Sequence, residues 1–183
     1  VAMKLETSSL NIAMYFPEKK GQLITGICLQ QQTNKNSGQE FIVPNYLAQD
    51  AGAFVHYKLI LSKWYFGAGI RGDVRALSSD NLFIDSVGNY VQEQTGNIKF
   101  NAINKTFGSF SAIAGASYQP STEIPVMFRA NISRGFRNPN IAELSSNGKH
   151  EGTFRYESGN ANLKSEFSLQ LDVGMTYTSD HFN

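Results

Sequence analysis

The stretch FSLQLDVGMTY, residues 167–177, decides the fold. Phe167, Leu169, Leu171, Val173, Met175 and Tyr177 take alternate positions, and Ser168, Gln170, Asp172, Gly174 and Thr176 fill the places between. Successive side chains of a strand point to opposite faces, so this period of two predicts a strand with one apolar and one polar side.

The same period runs upstream. Residues 126–133 set Val126, Phe128, Ala130 and Ile132 against Arg129, Asn131 and Ser133. Residues 53–61 set Ala53, Val55, Tyr57, Leu59 and Leu61 against His56 and Lys58. Residues 64–73 set Trp64, Phe66, Ala68 and Ile70 against Tyr65, Arg71 and Asp73. Weaker alternation covers 10–16, 22–32 and 110–118. Seven strands are therefore predicted. An eighth, over Leu82–Val87 or Asn97–Ile103, is the alternative, and it would permit a small complete barrel.

Composition narrows the class. Charged residues are 17% of the 183, below the ~25% of soluble domains, while aromatics reach 12%. Mean hydropathy is nevertheless −0.29. One apolar and one polar face reconcile these values; a bundle of membrane helices does not. No stretch reaches the ~18 apolar residues of a transmembrane helix. The net charge of +1 comes without a basic run, which argues against nucleic acid as a partner. Cys28 is the single cysteine and reads as a small residue within a strand.

Charge and connection length point to a membrane. Lys58, Arg71, Asp73, Arg129 and Asp172 all fall on the less apolar faces. A Lys or Arg facing lipid at mid-bilayer costs about 2–4 kcal/mol, enough to exclude it from such a face. The connections alternate in length. Short turns at 17–21, 62–63 and 119–125 interleave with long polar loops at 33–50, 77–106 and 134–165. Outer-membrane barrels have short turns at the periplasmic end and long loops outside. Phe16, Trp64, Tyr118 and Tyr177 all lie beside the short-turn end, as an interfacial girdle would. The expected fold is all-β: an antiparallel, up-and-down transmembrane β-barrel, partial, with seven or eight strands of a larger wall.

Several motifs reduce to structure. Gly67-Ala-Gly-Ile-Arg-Gly72 matches a dinucleotide fingerprint, but no helix follows it. Gly67 and Gly69 are instead expected to relieve crowding on the inner face. Arg71-Gly72-Asp73 spells an adhesion tripeptide within a strand, where an inner ion pair is the expected use. No nucleophile–base arrangement or metal-ligand cluster has usable spacing, so no enzyme, cofactor or metal site is expected.

The loop 134–165 carries the remaining information. It contains RGFRNPNIAEL at 134–144 and GNANLKSE at 159–166. Pro139 breaks the strand, and Asn147-Gly148 and Ser158-Gly159-Asn160 signal turns. The first run resembles the R-G-F-R-x-P-[NT]-x-x-E-L stretch of TonB-dependent outer-membrane receptors. The second resembles their G-N-P-N-L-K-P-E, with Ala161 and Ser165 in place of the prolines. The resemblance is specific over 126–177 and extends upstream only as pattern.

The resemblance implies a receptor of the bacterial outer membrane that takes up a scarce nutrient with TonB-supplied energy. Ferric siderophores, haem and other metal complexes are the implied cargoes. The implied partners are outer-membrane lipid, the transported small molecule, and the TonB complex acting through a plug domain. Residues 1–183 are expected to lie within the barrel domain, with the plug and the final barrel strands outside this chain. Arg134, Arg137, Asn140 and Glu143 are expected to be structural, bonding at the barrel rim or to the plug. His150, Glu151, Arg155 and Tyr156 are the candidates for ligand contact, because long outward loops carry binding. A passive porin or structural barrel, and a soluble β-sandwich binding module, are the competing readings.

Overall fold

A computed structural model of the chain describes residues 2–37, 41–91, 96–121, 125–149 and 155–178. One antiparallel sheet dominates it. Its strands are β1 (Met3–Glu18), β2 (Gly21–Asn36), β3 (Tyr46–Leu61), β4 (Trp64–Ser79), β8 (Ile103–Tyr118), β9 (Val126–Arg137) and β12 (Glu166–Tyr177). Their order in the sheet is their order in the chain. This is the up-and-down wall that the alternating loops predict.

The long loops hold the rest. β5 (Leu82–Ile84), β6 (Tyr90–Val91) and β7 (Asn97–Phe100) form a separate three-stranded sheet. The segments considered for an eighth wall strand therefore pair with each other and not with the wall. In the last loop, α1 (Ile141–Ser145) is followed by a small hairpin of β10 (Asn147–Lys149) and β11 (Tyr156–Ser158).

Register separates the two faces. Ile12, Ile27, Ala53, Gly72 and Phe110 lie in one row, as do Met14, Thr25, Val55, Ile70, Ala112, Arg134 and Leu169. The apolar residues of these rows are uncovered even in central strands: Ile70 is 54% exposed and Phe110 48%. No second sheet or helix among the described residues packs on this face. Hydrophobic surface this continuous is stable only against lipid or a partner. At the short-turn end the girdle closes up, with Trp64 and Tyr118 ring centroids 4.5 Å apart and Trp64 stacked on Phe66 at 5.6 Å.

The strands outrun their apolar stretches. The first five wall strands, β1 to β4 and β8, have 16 residues each, against the roughly 9–11 that span a bilayer. Towards the long loops the outward positions become polar: Glu6 and Ser8 on β1, Gln31 and Thr33 on β2, Gln49 on β3. Lys4 and Glu6 form an outward ion pair of 2.7 Å there.

The core lies on the other face. Ala48, Leu77, Ile103 and Phe107 point inward from the upper ends of β3, β4 and β8, and Val43, Ile141 and Leu144 pack onto them. The loop before β3 and the helix α1 thus fold inward over the upper wall.

Candidate functional site on the inner face and its upper rim

Below that core the inner face is lined by paired charges. Arg75 donates to both oxygens of Asp50, through Nε at 2.6 Å and Nη2 at 3.1 Å. Arg71 donates through Nε at 2.8 Å to each oxygen of Asp73, and through Nη1 to the Cys28 thiol at 3.2 Å. Gly52 lies beneath the second pair; a Cβ there would sit 2.3 Å from Asp73 Oδ1. The expected inner pair of Arg71 and Asp73 is present. The expected crowding is present at Gly69, where a Cβ would lie 2.9 Å from His56 Cδ2, but not at Gly67, where the nearest atom would be His56 Nε2 at 3.8 Å. Together with Asn11, Gln30 and Asn138 these groups border a recess of about 540 Å³. The two ion pairs alternate in charge along the wall, and Arg137 adds a third guanidinium at its upper border. The recess can offer hydrogen bonds to a polar ligand or a protein surface.

The rim above is built by the two motifs. Asn140 caps α1 by accepting the Glu143 backbone N–H at 2.9 Å, and the Glu143 carboxylate accepts the Asn140 N–H at 2.9 Å. Such a reciprocal cap contributes roughly 1 kcal/mol, and a five-residue helix does not stand without more. Burial of Ile141 and Leu144 supplies it, at about 1.5–3 kcal/mol per side chain. Arg137 bridges this helix to the wall, donating to both Glu143 oxygens at 2.7 and 2.8 Å and to Glu166 at 3.0 Å. These groups are well exposed, so solvent screens the bridge and it adds little to stability. The Glu143 carboxyl is held below its ordinary range, first by the Asn140 backbone N–H and then by the Arg137 guanidinium.

The second motif completes the first. The Gly159 N–H donates to the Ser146 carbonyl at 2.7 Å and the Asn160 N–H to the Glu143 carbonyl at 2.8 Å. Both acceptors lie at the C-terminal end of α1, where carbonyls lack partners within the helix. Ser165 donates to Asn138 at 2.6 Å. A hydroxyl thus fills a place where the family pattern has proline.

The eight residues singled out in the sequence separate into groups. Arg137, Asn140 and Glu143 come together in the rim. Arg134 does not join them: register puts it on the apolar face, between Ala112 and Leu169. Its guanidinium carbon lies 3.9 Å from the Phe110 ring centroid and 5.0 Å from that of Phe167. Arg155 and Tyr156 are exposed at the start of β11, and the Tyr156 hydroxyl donates to Asn147. His150 and Glu151 lie outside the described residues. Sequence reasoning passed over Asp50, Arg75 and Gln30 on the inner wall. The signal was available, since Asp50 continues the polar parity of His56 and Lys58, and Arg75 that of Arg71 and Asp73. Among the described residues no group of three or more His, Cys, Asp or Glu side chains could hold a metal ion.

Comparison with known proteins agrees with this geometry. Among solved structures, the chain superposes on "Copper transporter OprC" with a TM-score of 0.71 at 17% identity, covering 97% of this chain and 28% of that one. It superposes on the Serratia marcescens hemophore receptor HasR, solved as a double mutant with its hemophore HasA and heme, with a TM-score of 0.68 at 15% identity. That match covers 94% of this chain and 30% of the other. At such identities the likeness is one of fold, and the chain spans less than a third of either protein. No curated protein matches the chain significantly. The family model described as TonB dependent receptor-like, beta-barrel matches residues 23–183. With the wall, the inward-folded rim and this match in hand, the chain belongs to the TonB-dependent receptor β-barrel family.

Proposed function

We propose that this chain forms wall and vestibule of a bacterial outer-membrane receptor that imports a scarce nutrient using energy supplied through TonB. The observation that carries the reading is the division of the sheet's faces. Outward rows bare aliphatic side chains over a girdle of rings, while the inner face holds the Arg75–Asp50 and Arg71–Asp73 pairs. A wall of this kind separates hydrocarbon from an aqueous interior. Family membership supports the TonB coupling, and the absence of any catalytic constellation in the sequence favours a transporter over an enzyme.

The cargo we infer is a metal complex, with ferric siderophore or haem the leading classes. The support is indirect: the two structural neighbours are described as a copper transporter and a hemophore receptor in complex with heme. The outer loop around Arg155 and Tyr156 is the proposed first contact, and the inner recess the place to which cargo or plug would bond.

Uptake by cells carrying or lacking the gene tests this. Labelled iron complexes, haem and copper should each be offered under starvation for the metal. Import of one of them that stops on deletion of the gene, and equally on loss of the TonB system, is expected. Diffusive entry indifferent to TonB would establish a passive pore instead.

A further inference from the structure

We propose that Arg134 anchors a phosphate of an outer-leaflet lipid headgroup on the outside of the wall. Register sets this cation on the lipid-facing side, where its row neighbours are Ala112 and Leu169. A cation there needs either an acidic partner or a place at the membrane boundary. Among the described residues it has no carboxylate partner. Its nearest contacts are the Phe110 carbonyl, to which Nη1 donates, and the rings of Phe110 and Phe167. Two outward cations nearer the long-loop end, Lys4 and Lys35, share the Glu6 carboxylate, Lys4 at 2.7 Å.

Height fits the boundary. Phe128 belongs to the lower girdle on the same strand, six residues from Arg134. The guanidinium reaches a further row upwards, to the level of Phe136 and Phe167, which pair across β9 and β12. Eight residues at ~3.3 Å rise, tilted by ~40°, put it about 20 Å above the lower girdle. An outer-membrane apolar band is ~25 Å tall with aromatic rings at both edges. Phe110 and Phe167 thus stand where the upper edge falls, with the guanidinium between them. A guanidinium carries five N–H donors, of which the protein uses one, and its planar fork matches phosphate oxygens. The rings flank it, and the donors that the protein does not use are available to a headgroup phosphate.

This inference rests on the outer-membrane placement proposed above. The test uses the intact protein extracted from outer membranes in mild detergent. Native mass spectrometry would follow titration with lipid A and with the same lipid stripped of its phosphates. The wild type should retain the phosphorylated lipid preferentially. Arg134→Gln should bind it about fivefold more weakly, as expected for one cation at a membrane surface, and Arg134→Lys should recover most of the loss. Heat-modifiable migration in gels would verify that each variant is a folded barrel. Equal retention by folded wild type and Arg134→Gln, or no preference for phosphate, overturns the anchor. Failure to recover the protein from outer membranes at all would instead overturn the placement.

Discussion

Replacing Gly159 by alanine should open the rim without opening the wall. A Cβ at this position would lie 2.4 Å from the Ser145 nitrogen, and 2.6 Å from the Leu144 carbonyl carbon and the Ser146 nitrogen. All three are main-chain atoms of α1 or its cap and cannot rotate aside. Ordinary contact therefore requires the 159–160 segment to retreat by about 1 Å. Retreat lengthens the bonds from Gly159 to Ser146 and from Asn160 to Glu143, now 2.7 and 2.8 Å. Each is worth about 0.5–1.5 kcal/mol, and crowding adds about 1–3 kcal/mol, so roughly 2–6 kcal/mol is expected. Gly148→Ala is the control, because its nearest new contacts are 3.6 Å away. The assay is amide hydrogen exchange on the membrane-embedded protein, read at peptides spanning 143–146 and 159–163. A loss of 2 kcal/mol corresponds to about thirtyfold faster opening. Exchange should rise there in Gly159→Ala and stay unchanged in β3 and β4. Unchanged protection at the rim, or an equal effect from Gly148→Ala, would refute the reasoning.

Further outcomes follow from the same geometry. Ile70→Lys places a charge on the lipid side and should cost about 2–4 kcal/mol in urea titrations of vesicle-folded protein, whereas Asn131→Lys, opposite Asp172 on the inner face, should cost under ~1 kcal/mol; equal costs would reverse the assignment of faces. Gly26→Ala brings a Cβ to 2.5 Å from the Ile12 carbonyl and 2.6 Å from the Phe54 ring, and should destabilise by about 1–3 kcal/mol, with Phe54→Ala rescuing only part because the carbonyl stays. The rim should also loosen in acid. Glu143 has a depressed folded pKa, so its contribution is complete above the ordinary glutamate value of 4.5 and fades as pH falls below it. Pepsin cleavage of the last loop, normalised at each pH to cleavage of an unstructured peptide, should therefore quicken between about pH 5 and pH 3 in wild type, and Glu143→Gln should make the normalised rate high and nearly flat across that window.

Alternation in the sequence disclosed the wall because hydrocarbon forbids exceptions: Val126 to Ile132 and Phe167 to Tyr177 obey a period of two over the whole buried height. It faded where the strands leave the bilayer. Glu6, Ser8, Gln31 and Gln49 face water on that side, so no parity rule constrains them; residues 3–9 of β1 went unassigned, and the ends of β2 and β3 within 33–50 read as loop. The helix α1 was passed over because Pro139 was read as a strand breaker. Asn140 followed three residues later by Glu143 was nevertheless a capping signature before an apolar pair. Arg134 was expected at the rim from its motif. Counting parity on from Ile132 places it outward, but chemistry argued against a cation there until the flanking rings of Phe110 and Phe167 came into view. The contact between the motifs at 143–146 and 159–160 has no sequence signal, because its bonds are all main chain.

That contact has an evolutionary corollary. The backbone of Glu143 and Ser146 grips that of Gly159 and Asn160, and little of the grip depends on which side chains lie between. The intervening arc behaves like a cartridge seated in a fixed holder: its length and chemistry are free to drift while its mount on the barrel stays the same. An epitope spliced into that arc should leave the wall undisturbed.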